Sequence, residues 1–120
     1  MATSKITPTP YARLTMSDGT NNWTVRKYDN GDCEAYLLHS GRAMSSQVLW
    51  SNGHYAGDFT QVLPSGLFTS IDYAEVQIHT YGIVGYATAN TTSVHIYYTV
   101  DASSISGTFP LLIKVVGRWK

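Results

Sequence analysis

The stretch Trp23–Leu38, WTVRKYDNGDCEAYLL, constrains the chain more than any other. Two runs suited to strands, Trp23–Tyr28 and Cys33–Leu38, are separated by Asp29-Asn30-Gly31-Asp32. Asn-Gly is a strong short-range hairpin signal, because both residues tolerate the positive φ of a tight turn that matches the strand twist. Period-two alternation puts Trp23, Val25 and Lys27 on one face and Thr24, Arg26 and Tyr28 on the other. Arg26 and Glu34 then stand on opposite arms, where a charge pair would set register more than add stability, since exposed pairs contribute about 0–1 kcal/mol. The stretch is predicted to be a β-hairpin.

The rest of the chain extends that pattern. Residues 1–10, MATSKITPTP, have little to bury and are expected to be an arm, a linker or the remainder of a longer protein, with residues 11–120 as one β domain. Tyr11–Met16 is a short edge-strand candidate, and Ser17–Asn22 a turn cluster. His39-Ser40-Gly41 is expected to break the chain. Arg42–Trp50 and His54–Val62 then form a second hairpin about Ser51-Asn52-Gly53. Pro64-Ser65-Gly66 breaks it again. Tyr73–Tyr81 alternates, with Val76 and Ile78 inward, and the Gly- and Ala-rich Gly82–Asn90 is expected to hold a bend or bulge. Ser93–Val100 alternates with Val94, Ile96, Tyr98 and Val100 on one face; Asp101–Gly107 is a loop. Phe109–Trp119 is apolar on both faces, which suits a sheet centre or a subunit interface. No stretch shows helical periodicity with caps. Seven to nine short strands with Gly/Asn turns argue for an all-β fold, an antiparallel sandwich or jelly-roll-like domain.

Composition narrows the function classes. A chain of 120 residues buries about 65% of its unfolded surface, enough for one core. Charged residues make up 13%, about half the usual share, and the formal net charge is zero with no basic run, which argues against nucleic acid. No apolar run approaches the ~20 residues of a membrane helix, and the N-terminus lacks the apolar core of a signal peptide. The single Cys33 rules out an internal disulfide and is read as a small buried hydrophobe, in keeping with assembly in a reducing cytoplasm.

Candidate chemistry is sparse. The acids Asp18, Asp29, Asp32, Glu34, Asp58, Asp72, Glu75 and Asp101 fall mostly in turns or at strand ends, and no serine has the context of a nucleophile elbow. His39, His54, His79 and His95 lack metal-ligand spacing, although His79 and His95 are candidates to meet across neighbouring strands. No catalytic residue, metal or cofactor is expected. One constellation suits a ligand: Trp50, Asn52, His54 and Tyr55 set two aromatics around a polar turn, with Asp58 nearby. A sugar is held by an aromatic plate under its apolar face, with amide and carboxylate groups on its hydroxyls. The competing reading of Trp50 is that it ends a strand by packing into the core. Tyr36, Tyr97 and Tyr98 are read as core or interface aromatics.

The pattern Trp23-x-x-Arg26-Lys27-x-x-x-Gly31-x-x-Glu34, together with the terminal Gly117-Arg118-Trp119-Lys120, resembles the small C-terminal β domain of phage and prophage tail-fibre, baseplate and head-fibre proteins. Such domains often carry Trp where Tyr28 and Tyr36 stand; both positions keep an aromatic here. The resemblance implies a virion protein assembled in the host cytoplasm and joined to other virion proteins through its N-terminal side. It also implies a homotrimer, with Phe109–Trp119 as a contact, and adhesion to a host-surface polysaccharide. The alternatives are a monomeric carbohydrate-binding module of a bacterial enzyme and a decoration protein with no host ligand. Trp23, Arg26, Lys27, Gly31, Glu34, Gly117, Arg118 and Trp119 are read as a structural signature. In that reading Trp119 packs against Trp23 or Tyr28, and Arg118 or Arg26 stacks on a ring.

Overall fold

The computed structural model describes residues 10–45, 47–51, 54–100 and 105–120. They form nine strands: β1 (Pro10–Ser17), β2 (Asn22–Tyr28), β3 (Asp32–Met44), β4 (Val48–Ser51), β5 (His54–Val62), β6 (Ser70–Ile78), β7 (Ile83–Ala89), β8 (Ser93–Val100) and β9 (Gly107–Arg118). Every pairing is antiparallel, in one sheet of order β1-β2-β3-β9-β6 and another of order β4-β5-β8-β7. The chain repeatedly changes sheet, so that β9 is flanked by β3 and β6 while β8 is flanked by β5 and β7. That is jelly-roll-like winding in a sandwich, the all-β class expected from the turn spacing. The 1–10 arm lies outside the described residues except Pro10, which begins β1.

The β2–β3 hairpin sets the register of its sheet. Arg26 stands directly opposite Glu34, and Gly31 closes the turn in a left-handed conformation (φ 100°) by donating its N–H to Tyr28 O (3.0 Å). Trp23, Val25, Cys33, Ala35 and Leu37 turn inward and are fully or almost fully buried, meeting Leu111, Ile113 and Val115 of β9. Val94, Ile96, Tyr98 and Val100 close the core from the other sheet, following the alternation read in β8. Burial pushes the Cys33 thiol up to about 11, as suits an inert core hydrophobe.

Four local readings need correction. His39–Gly41 does not break the chain: β3 runs through it to Met44, and a bulge between His39 and Arg42 absorbs the irregularity against β9. The strand expected over Arg42–Trp50 is therefore two, the end of β3 and the separate β4. β6 begins at Ser70 and ends at Ile78, before the expected Tyr81. Gly82–Asn90 is largely strand β7, with only Gly82 in a left-handed turn (φ 76°). The two glycines around Tyr98 explain the composition of this region. A Cβ on Gly57 would lie 2.5 Å from the Tyr98 hydroxyl oxygen, and one on Gly85 would lie 2.7 Å from Tyr97 O and 3.3 Å from Tyr98 Cβ. Both positions pair with Tyr98: Gly57 leaves room for its ring, and Gly85 for the β8 backbone at Tyr97 O.

The terminal signature is a latch. Trp119 donates from Nε1 to Tyr28 O (2.8 Å) and from its backbone N–H to Gly31 O (2.9 Å). Arg118 donates to Asp32 Oδ1 (3.2 Å) and to Asn30 O (2.8 Å). Trp119 thus meets the backbone carbonyl of Tyr28, and the cations over its ring are Lys27 (4.9 Å) and Lys120 (5.0 Å) rather than an arginine. Arg26 instead lies over Tyr36 (5.5 Å), where Lys114 also sits (5.6 Å), and Glu34 accepts the Tyr36 hydroxyl (2.6 Å). Gly117 leaves no room for a Cβ, which would overlap the backbone oxygen of Ser70, whereas Gly31 is favoured by its left-handed φ of 100°. β9 is an interior strand: its inward side chains are buried, and its outward ones, Leu112, Lys114 and Val116, are half-buried.

Candidate functional site

The outward face of the β4-β5-β8-β7 sheet carries the site. Register fixes its rows. Asp58, Tyr97 and Tyr86 lie side by side on β5, β8 and β7; Ala56, Thr99 and Val84 form the next row, and Thr60, His95 and Thr88 the row on the other side. Alternation sends all of them to solvent because Tyr98, Ile96 and Val94 are committed to the core. Trp50, at the end of β4, is 69% exposed, so it does not pack into the core. It instead walls a depression of about 470 Å³ whose floor includes Ala56, Gly57, Gly85 and Thr99 and whose far wall is Tyr86 and Tyr97.

The aromatic wall is ordered by stacking. The Tyr86 and Tyr97 rings lie 5.1 Å apart at 19°, and the His95 ring lies parallel to Tyr97 at 4.3 Å. His95 Nε2 is 2.6 Å from Asp58 Oδ2, which fixes the imidazole against Tyr97 and leaves Asp58 Oδ1 without a bond among the described residues. Beyond this ridge lies a second, smaller and more polar depression of about 250 Å³, lined by Thr88, Ala89, Asn90, Ser93 and His95. The Asn90 carboxamide oxygen accepts from Thr92 N, Thr92 Oγ1 and Ser93 N (2.8–3.0 Å), so the β7–β8 turn that edges this depression is held by its own side chain.

Of the candidate ligand residues, Trp50 and Asp58 belong to this face. Tyr55 does not, because it alternates inward opposite Val100 and packs on the core. His54 is exposed at the start of β5, and Asn52 lies outside the described residues. Tyr97, read as a core or interface aromatic, is a wall residue. Tyr86 carries no reading from the sequence, and His95 one only as a candidate partner of His79. The signal for Tyr86 was the Val84-Tyr86-Thr88 alternation, hidden by reading Gly82–Asn90 as a bend. His79 and His95 do not meet: His95 stands opposite Thr60 and Thr88, while His79 bonds Gln77 (3.0 Å) at the end of the other sheet. Among the described residues no group of three or more His, Cys, Asp or Glu is placed to hold a metal ion, and no helix is long and apolar enough to cross a membrane.

What this arrangement can do is hold a flat ligand with one apolar surface and several hydroxyls. The rings supply apolar area with little entropy to lose, and Asp58, His95, Thr88 and Asn90 supply donors and acceptors at the rim. No family model, curated protein or solved structure matches this chain.

Proposed function

We propose that this domain is a non-enzymatic adhesion domain of a phage virion, at the tip of a tail fibre, baseplate or head fibre, and that it binds a host-surface polysaccharide on the outer face of the β4-β5-β8-β7 sheet. The observation that supports it most is the solvent-facing group Trp50, Tyr86 and Tyr97 around a floor of small residues. Contiguous exposed apolar surface of this kind marks interaction sites. The virion setting rests on the resemblance carried by the Trp23–Glu34 hairpin and the Gly117–Lys120 terminus, now with a mechanical meaning as a latch. Asp58 is the only acid on the described outward rows of this sheet, so the paired carboxylates of glycoside hydrolysis are not assembled there.

Trimerisation is part of the same proposal, with a revised contact. On the outer face of the other sheet Leu38 is 70% exposed and stands opposite Leu112, while exposed Tyr73 stands opposite Val116. The row Tyr36–Lys114–Glu75 separates these two apolar spots, and together they support a subunit contact across β3, β9 and β6 rather than along β9 alone. A carbohydrate-binding module is the second reading, favoured by the same aromatic wall. Light scattering across a dilution series separates the two: a stable mass near three chains supports the fibre tip, and a clean monomer supports the module. Polysaccharide binding by calorimetry tests the shared claim. Trp50→Ala with Tyr97→Ala should weaken binding at least roughly tenfold per ring removed, the effect of about 1.4 kcal/mol, with unchanged circular dichroism. Unchanged affinity would refute the face.

A further inference from the structure

All eight Lys and Arg residues of the chain lie at or before Arg42 or at or after Lys114; residues 43–113 contain none. The fold turns that asymmetry into geometry. β4, β5, β7 and β8 all fall inside the base-free stretch, so the sheet with the aromatic wall presents no Lys or Arg, while the other sheet carries Arg13, Arg26, Lys27, Arg42, Lys114 and Arg118. On the described outward rows of the aromatic sheet the only carboxylate is Asp58, beside His95.

From this we infer that the face selects neutral or amine-bearing polysaccharides, discriminates against phosphate- or uronate-bearing ones, and takes its ligand as an extended chain rather than a terminal sugar. The inference rests on the glycan-binding reading above and specifies its ligand. Charge discrimination follows from complementarity: an anionic chain would meet one like charge and no Lys or Arg on these strands, so its lost hydration is repaid only by neutral donors and His95. A protonated amine or a hydroxyl donor would find Asp58 Oδ1, which no described residue occupies. Extension follows from the two depressions on either side of the Tyr86–Tyr97–His95 ridge. From Thr99 to Ser93 along β8 is six residues, about 20 Å at strand rise, which accommodates several pyranose rings in a row. The first depression offers stacking surface, the ridge a flat crossing, and the second depression hydroxyl and amide partners at Thr88, Asn90 and Ser93.

The test is an array of purified bacterial polysaccharides sorted as neutral, amine-bearing, phosphate-bearing and uronate-bearing, probed with the intact protein. A length ladder, made by partial hydrolysis of the strongest binder, follows. The expected result is signal confined to the neutral and amine-bearing classes, lost in the Trp50→Ala/Tyr97→Ala variant, with affinity rising at least roughly tenfold from disaccharide to hexasaccharide. Asp58→Asn should reduce the preference for amine-bearing over neutral chains while leaving neutral chains bound. Signal concentrated in the phosphate or uronate classes, or a monosaccharide bound as tightly as the hexasaccharide, would overturn this inference and leave the glycan-binding reading standing. Absence of signal from every class, or signal indifferent to the double substitution, would overturn both.

Discussion

Asp18 is the residue whose removal should cost the fold most for its size. It sits in the β1–β2 turn and accepts four hydrogen bonds, each 2.8 Å long. Thr20 N and Asn21 N bond Oδ1, and Trp23 Nε1 and Gln61 Nε2 bond Oδ2. Trp23 is fully buried and Gln61 only 5% exposed, and the two belong to different sheets, so this carboxylate ties the sandwich together at one end. Asp18→Ala leaves the indole N–H with no acceptor and strips the Gln61 amide of its shorter bond; a buried donor left unsatisfied costs about 1–3 kcal/mol. The turn amides reach water and add a smaller amount. The total is about 2–5 kcal/mol, or roughly 10–20 °C in Tm for a domain of this size. Asp18→Asn keeps the shape but points an NH₂ at two donors, so it should lose most of the same amount.

The charge gives the prediction its pH signature. Burial alone would raise the pKa of Asp18, but the bonds from Asn21, Trp23 and Thr20 outweigh it and hold the carboxyl below its ordinary value. A carboxyl depressed in the folded state stabilises fully above its unfolded pKa of about 3.9, and that contribution disappears as pH falls through the lower folded value. Urea denaturation followed by far-ultraviolet circular dichroism at pH 7, 5, 4 and 3 reads this directly. The gap between wild type and Asp18→Asn should be constant from pH 7 to about 5 and narrow below about 4. A gap under about 1 kcal/mol at pH 7, or one that does not change with acid, would refute the reasoning.

Three further outcomes are expected. Gly57→Val should destabilise by about 1–3 kcal/mol, because its side chain meets the Tyr98 ring and the Tyr98 hydroxyl is tied to Gln47 Nε2 (2.8 Å); wild-type urea midpoints would show that the ring has somewhere to go. Trp119→Ala should cost about 2–4 kcal/mol, as a half-buried indole, its bond to Tyr28 O and two lysine contacts are lost together; unchanged thermal stability would refute the latch. Burial, helped by the hydrogen bond to Glu34, pushes the Tyr36 phenol up to about 12. A phenol raised in the folded state stabilises below its unfolded value near 10 and stops doing so as pH rises toward the folded one, so Tyr36→Phe should flatten the alkaline loss of stability between those limits.

Local chemistry was legible and long-range chemistry was not. The β2–β3 hairpin could be read because alternation and Asn-Gly act within a few residues, and the β8 face could be read because four inward residues outvote any other register. The continuity of β3 through Gly41 was hidden: the bulge there exists because β9, some seventy residues later, pairs on both sides of it. β7 was hidden for a similar reason. Gly85 reads locally as a breaker, whereas its missing side chain answers to the Tyr97 carbonyl on the neighbouring strand. Trp50 and Tyr55 were drawn together by proximity in the chain, yet the register of β5 sends Tyr55 inward opposite Val100. An aromatic that closes a strand carries no local mark of which side of the sheet it faces.

The two outer faces therefore have different freedoms. On the outer face of the β1-β2-β3-β9-β6 sheet Arg26 and Lys114 are engaged with the Tyr36 ring, so substitution there acts on the fold. On the aromatic face the floor is fixed from beneath: Gly57 must stay small for the Tyr98 ring and Gly85 for the Tyr97 carbonyl, and Tyr98 in turn holds Gln47, whose Oε1 accepts Ile105 N (2.8 Å). The rim is bound by no such requirement. Trp50, Tyr86 and Thr88 project into solvent, where a change typically moves stability by less than about 0.5 kcal/mol. A rigid floor under a replaceable rim lets ligand preference change without refolding the domain. Exchanging Trp50 and Tyr86 for other exposed side chains should therefore alter which polysaccharide is retained while the melting temperature stays within about 2 °C of wild type.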